Sequence, residues 1–111
     1  MNIRGIPALF LLAIVLCGCG KPVPAEKADY VGEWRAPEMY LLITSDGSVR
    51  YERLKGGAQR SITGPIQGFK GDDFSVGLSF LSTTFVVSKP PYKEGDSWKM
   101  VVDGLELTKV P

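Results

Sequence analysis

From residue 30 onward, apolar positions recur every second residue, not every third or fourth. Phe74, Val76, Leu78 and Phe80 alternate with Ser75, Gly77 and Ser79, and Trp98, Met100 and Val102 alternate with Lys99, Val101 and Asp103. Leu105 and Leu107 alternate with Glu106 and Thr108. A period of two sends neighbouring side chains to opposite faces, so each run predicts a half-buried strand with one apolar face. Asp103-Gly104 separates the last two runs and is a favoured two-residue hairpin turn. Such a turn predicts Val102 opposite Leu105 and Met100 opposite Leu107, which gathers the apolar side chains on one face.

Asp46-Gly47 predicts a second hairpin. The strand before it, residues 39–43, is apolar at every position, as expected of a central strand or one covered on both faces. Its partner, residues 48–54, carries Val49 and Tyr51 inward and Arg50 and Glu52 outward. A two-residue turn sets Leu42 opposite Tyr51; a longer loop with a bulge at Gly47 shifts the pairing, and the pattern allows either. Lys55-Gly56-Gly57 predicts a turn, followed by a strand at 59–63 that Gly64-Pro65 interrupts and 66–69 resumes. Lys70-Gly71-Asp72 turns the chain into the Phe74 run. Residues 83–88 form another strand, which Lys89-Pro90-Pro91 ends, and residues 91–96 form an exposed loop.

No helical stripe competes with this rhythm. The expected fold is all-β: a small antiparallel meander of about eight strands, curled into a barrel or sandwich so that few edges stay exposed. Barrels this small are mostly filled by their own side chains. A cavity open at one end would be lined by Tyr51, Phe74, Val76 and Met100.

The segment ahead of the strands differs. Residues 20–29 contain Lys21-Pro22-Val23-Pro24 and read as an extended, unpaired tether of roughly 30 Å reach. Residues 6–16 are apolar apart from Pro7 and follow Arg4. They are too few to span a bilayer, which takes about 20 residues, but suit the apolar core of a secretory signal. The rival readings are a buried helix with two free thiols or an uncleaved anchor. The next residues, Leu16-Cys17-Gly18-Cys19, resemble the lipobox of bacterial lipoproteins. That resemblance implies that Cys19 takes a diacylglycerol, the signal is cut ahead of it, and the new amino terminus is acylated. Cys17 would place Leu16 where the family has Gly, Ala or Ser, and is rejected. The organisation expected is residues 1–18 signal peptide, 19–29 lipidated tether and 30–111 β domain. Gly20 follows the lipidated cysteine, and under the sorting rule of enteric-type bacteria this implies an outer-membrane protein facing the periplasm.

Gly32-Glu33-Trp34 is similar to the Gly-x-Trp signature of lipocalin-like barrels, and Tyr30 to Arg35 followed by Ser45-Asp46-Gly47-Ser48 looks like many small lipocalin-like lipoproteins. The resemblance implies that Trp34 closes one end of the barrel under a basic side chain of the last strand, here Lys109. The chain is much shorter than a full lipocalin, and no Arg follows Arg60.

Composition narrows the chemistry. Removing Arg4 with the signal brings the basic residues level with the 12 acidic ones, which leaves no electrostatic case for nucleic acid. There is no His, and both Cys belong to the signal or its anchor. Ser-His and Cys-His nucleophiles and ordinary zinc ligands are therefore denied, and no phosphate-binding loop is present. Asp72-Asp73 would point to opposite faces and fail as an acid–base dyad. No enzyme, cofactor or metal site is expected. Tyr40, Tyr92 and Trp98 lie near loops or strand ends and, if exposed, suit a protein or peptidoglycan partner. The expected function is a membrane-anchored binding module for an envelope protein partner or a small apolar ligand. The alternative is a structural or assembly accessory without its own ligand. An open cavity would favour the first, and a filled barrel with an apolar outer patch the second.

Overall fold

The computed structural model describes residues 22–78 and 80–111. The apolar leader, the Leu16–Cys19 motif and Ser79 lie outside the described residues. A short 3-10 helix, Ala25–Tyr30, precedes nine strands: β1 (Gly32–Ala36), β2 (Met39–Ile43), β3 (Ser48–Lys55), β4 (Ala58–Lys70), β5 (Asp73–Leu78), β6 (Leu81–Phe85), β7 (Val87–Glu94), β8 (Ser97–Val102) and β9 (Leu105–Lys109). All pairings are antiparallel, and the ladder runs β6-β5-β4-β3-β2-β1-β9-β8-β7. The fold is the expected all-β meander, curled towards a barrel.

The two ends of this ladder, β6 and β7, are consecutive in the chain and separated only by Val86. Counting antiparallel steps around the ladder shows that both run in the same direction. They are one long bent strand, bonded to β5 in its first half and to β8 in its second. Strand β4 does the same. Its first part pairs with β3 as far as Pro65 and its last part with β5, with the register breaking between Ile66 and Gly68. Two long strands thus change partners midway, with a register break that lets the single nine-stranded ladder curl. The expected eight strands become nine only because Val86 interrupts one of them.

The Asp103-Gly104 hairpin forms as predicted, with φ of 48° and 82° at the turn, Val102 opposite Leu105 and Met100 opposite Leu107. At Asp46-Gly47 the longer loop forms. Gly47, at φ 91°, donates to the Thr44 carbonyl at 3.0 Å, and Thr44 N–H donates to Ser48 at 2.9 Å. The pairing shifts by one, so Leu41, not Leu42, faces Tyr51. This keeps Met39, Leu41, Ile43, Val49 and Tyr51 on the buried face. Strand β2 is therefore covered fully on one face only, with Tyr40 and Leu42 half-buried on the other.

Three other expectations change. Gly64-Pro65 lies inside β4, at its corner. Pro90-Pro91 lies inside β7, where the register skips from Lys89 to Tyr92; a bulged edge strand tolerates residues without an N–H. Phe80 is not in the β5 strand, which ends at Leu78, but in an exposed turn.

The segment expected as a free tether is docked over its described part. Val23 N–H donates to the Ser45 carbonyl at 3.1 Å, and the Val23 side chain packs on the core. Lys27 Nζ donates to the Gly71 carbonyl and Tyr30 Oη to the Asp72 carbonyl, both at 2.8 Å. Two prolines do extend this stretch, but Val23 and Tyr30 supply apolar area that is better buried than left in water.

Candidate functional site

The interior is occupied by side chains. The rings of Phe74 and Phe85 stack at 5.0 Å, and Tyr51 meets Phe85 edge-on at 4.9 Å. Met100 and Val102 are fully enclosed. Tyr51, Phe74, Val76 and Met100, expected to line a cavity, are instead packed core, each 5% exposed or less. Of the four, only Val76 reaches one of the grooves described below.

The Trp34–Lys109 pair expected to close one end of the barrel does come together. Trp34 and Lys109 are directly paired across β1 and β9, and the Lys109 ammonium stands 4.9 Å from the Trp34 ring centre. It also stands 5.7 Å from Trp98 and donates to the Asp29 carbonyl at 3.1 Å. Burial holds the Lys109 pKa below its ordinary value, with Asp29 opposing the shift. Trp34 Nε1 donates to the Tyr30 carbonyl at 2.9 Å, so the indole is fixed from both sides. Gly32 has φ 145°, and a Cβ there would meet Lys109 Cε at 2.9 Å. The glycine of the Gly-x-Trp motif thus leaves room for the lysine stem.

The joint at Val86 is held by two carboxylates. Asp103 accepts from Val86 N–H at 2.9 Å and Asp73 from Val87 N–H at 2.8 Å. Asp72, in the turn ahead of β5, lies 3.7 Å from Lys27, while Asp73 is held by the Val87 N–H.

On the outer face, Arg35 donates to Glu33 at 2.8 Å and its guanidinium lies 5.3 Å from the Tyr40 ring. The bond from Arg35 holds the Glu33 carboxyl below its usual range, while burial followed by the bond to Glu33 raises Tyr40. Arg50 pairs with Glu52 at 3.3 Å, closing a shallow groove of about 400 Å³ in which the charges are already matched. Tyr92 Oη donates to Glu106 at 3.0 Å, and Trp98 is half-buried beside Lys109. Tyr40, Tyr92 and Trp98, which would suit a partner if exposed, are thus all partly covered.

Two surface features were not singled out from the sequence. Leu78, Phe80 and Leu81 project at the tip of the β5–β6 hairpin, 68%, 87% and 68% exposed. Beneath them runs a groove of about 350 Å³ lined by Ile62, Gly64, Val76, Leu78 and Leu81. In addition, Arg53 and Arg60 stand directly opposite each other across β3 and β4. The Gly56-Gly57 turn could have shown this pair, because a two-residue turn there fixes 55 opposite 58 and so 53 opposite 60. Comparison with protein-family models, with curated proteins and with solved structures finds no match for this chain, so its chemistry rests on these side chains.

Proposed function

We propose that this chain is a lipid-anchored protein of the bacterial envelope whose barrel works through its outer surface, as a structural or assembly accessory. The observation that carries this reading is the filled interior. The four side chains best placed to line a cavity are spent on core packing, while large apolar side chains stand outside at the β5–β6 tip. A small apolar ligand held within the barrel would have to displace Phe74, Phe85 or Met100.

The anchor rests on the Leu16-Cys17-Gly18-Cys19 motif and its apolar leader. Val23, pinned to Ser45, follows Cys19 by four residues, a reach of about 13 Å. An acylated Cys19 would therefore hold the barrel close against the bilayer rather than at the end of a long tether. Placement in the outer membrane, facing the periplasm, follows from Gly20.

Replacing Cys19 with Ser tests the anchor. The expected result is a chain that stalls with its leader attached or leaves the membrane fraction, with no acyl mass on its amino-terminal peptide. Normal processing and acylation of Cys19→Ser would overturn it. Envelope crosslinking of the wild-type chain, read by mass spectrometry, tests the surface role. A co-purifying small apolar molecule with no crosslinked partner would overturn that part.

A further inference from the structure

Leu78 pairs with Leu81 to close the hairpin, and Phe80 stands beyond them with 87% of its surface free. Gly77 has φ 142°, and a Cβ there would lie 2.0 Å from the Leu81 carbonyl oxygen, so the strands approach as closely as a glycine allows. Ile62, half-buried in β4, joins Leu78 and Leu81 in lining the groove below.

Charge lies next to this patch. Alternation along β4 puts Arg60 on the same face as Ile62, one step of about 7 Å along the strand. Arg53 lies directly opposite Arg60, and Lys55 is the next residue on that face of β3. Like charges directly opposite each other destabilise a sheet. Among the described residues none of the three makes an ion pair, and Arg53 Nε is buried with no hydrogen-bond partner. The neighbouring carboxylate of Glu52 is taken by Arg50. The fold thus keeps three unmatched cations beside an exposed apolar wedge.

We infer that the Leu78–Phe80–Leu81 tip and the Arg53–Lys55–Arg60 face together dock on the anionic surface of a lipid bilayer. The apolar wedge enters the acyl boundary while the cations meet phosphate headgroups, the division of labour of an interfacial membrane anchor. Glu38 and Glu52 share the groove of Arg53, but Glu52 is taken by Arg50, so cations outnumber acids here, and a cationic rim flanking a protruding Phe suits a sheet of acidic headgroups. The proposal rests on the surface-acting reading above but not on the acyl chain of Cys19.

The test uses the full chain carrying Phe80→Trp, added to vesicles with brominated acyl chains. One set contains phosphatidylglycerol and the other phosphatidylcholine alone. Trp34 and Trp98 give the background, measured on the unsubstituted chain. The expected result is a blue-shifted, quenched signal from the introduced indole that prefers the anionic vesicles and weakens with salt. Arg53→Gln with Arg60→Gln should lower that preference about 25-fold, at about a fivefold loss per cation. Circular dichroism confirms that each variant keeps its β spectrum. Equal quenching in both vesicle types, or a preference that survives the double substitution, overturns the proposal. So does a shift of the introduced indole that needs only protein concentration, which marks a second copy as the occupant, or one produced by an acidic peptide without vesicles. The mass of the amino-terminal peptide reports acylation separately, so failure of the anchor and failure of this docking are distinguishable.

Discussion

Replacing Tyr30 with Phe removes one oxygen from a residue that is 2% exposed and ties the 3-10 helix to the β4–β5 turn. The lost bond, Oη to the Asp72 carbonyl, is 2.8 Å long. Its net worth is about 1 kcal/mol, which for a domain of this size lowers the melting temperature by about 5 °C near neutral pH. The ring keeps its edge-on contacts with Phe69 at 5.3 Å and Phe74 at 6.2 Å, so no cavity is added. Alkaline pH reverses the comparison. Burial, aided by Asp72 and Asp73, pushes the Tyr30 pKa from 10.0 up to about 12. The unfolded chain then releases this proton before the folded one does. The stabilising difference is complete below pH 10 and is lost as the pH rises towards 12. Two units would correspond to about 2.7 kcal/mol, and partial solvent access to the hydroxyl reduces this to about 1–2 kcal/mol. Phe carries no such penalty. Tyr30→Phe should therefore melt below wild type at pH 7, draw level near pH 11 and equal or exceed it at pH 12. Thermal unfolding followed by circular dichroism from pH 7 to 12 reads the crossing directly. Parallel curves between pH 9 and 12 would refute the claim that the Tyr30 hydroxyl is withheld from water.

Gly77→Ala should cost about 3 kcal/mol or more in chemical denaturation, because its Cβ would strike the Leu81 backbone at an already unfavourable φ. Gly68→Ala, where a Cβ meets nothing within 4 Å, should be neutral or slightly stabilising. Asp103→Ala should destabilise by about 1–3 kcal/mol and speed amide exchange at Val86, whereas Asp103→Asn, which keeps an acceptor and tolerates the φ of 48°, should recover most of the loss.

What can be read from the sequence is local. The Asp103-Gly104 hairpin is legible because turn chemistry and alternation point to the same register. The approach of Lys109 to Trp34 follows from a three-residue resemblance and not from any pattern in the chain. The corner at Val86 is not legible. A strand that changes partners halfway has the same period of two as one that does not, and only β5 and β8 reveal the exchange. Docking of residues 22–29 is hidden for a similar reason: Tyr30 and Lys27 find partners more than 40 residues away, and proline spacing says nothing about them. The cavity fails on volume, since the aromatic residues that could line it also fill it. The apolar tip escapes the pattern because Phe80 continues the β5 alternation in sequence but lies in the turn in space.

Strand β1 has β9 as its neighbour, with Trp34 against Lys109 and Val110 N–H donating to the Glu33 carbonyl at 2.7 Å. For a chain made from its amino end, the first strand to emerge waits for the last. Until residues 105–110 exist, one flank of Trp34 has only water or a chaperone to meet. Pairing β1 with β9 joins segments about 75 residues apart, a non-local step of the kind that slows folding. The hairpins from β1 to β6 are all local, so the β1–β9 contact is the pairing that bears most of this loop-closure cost.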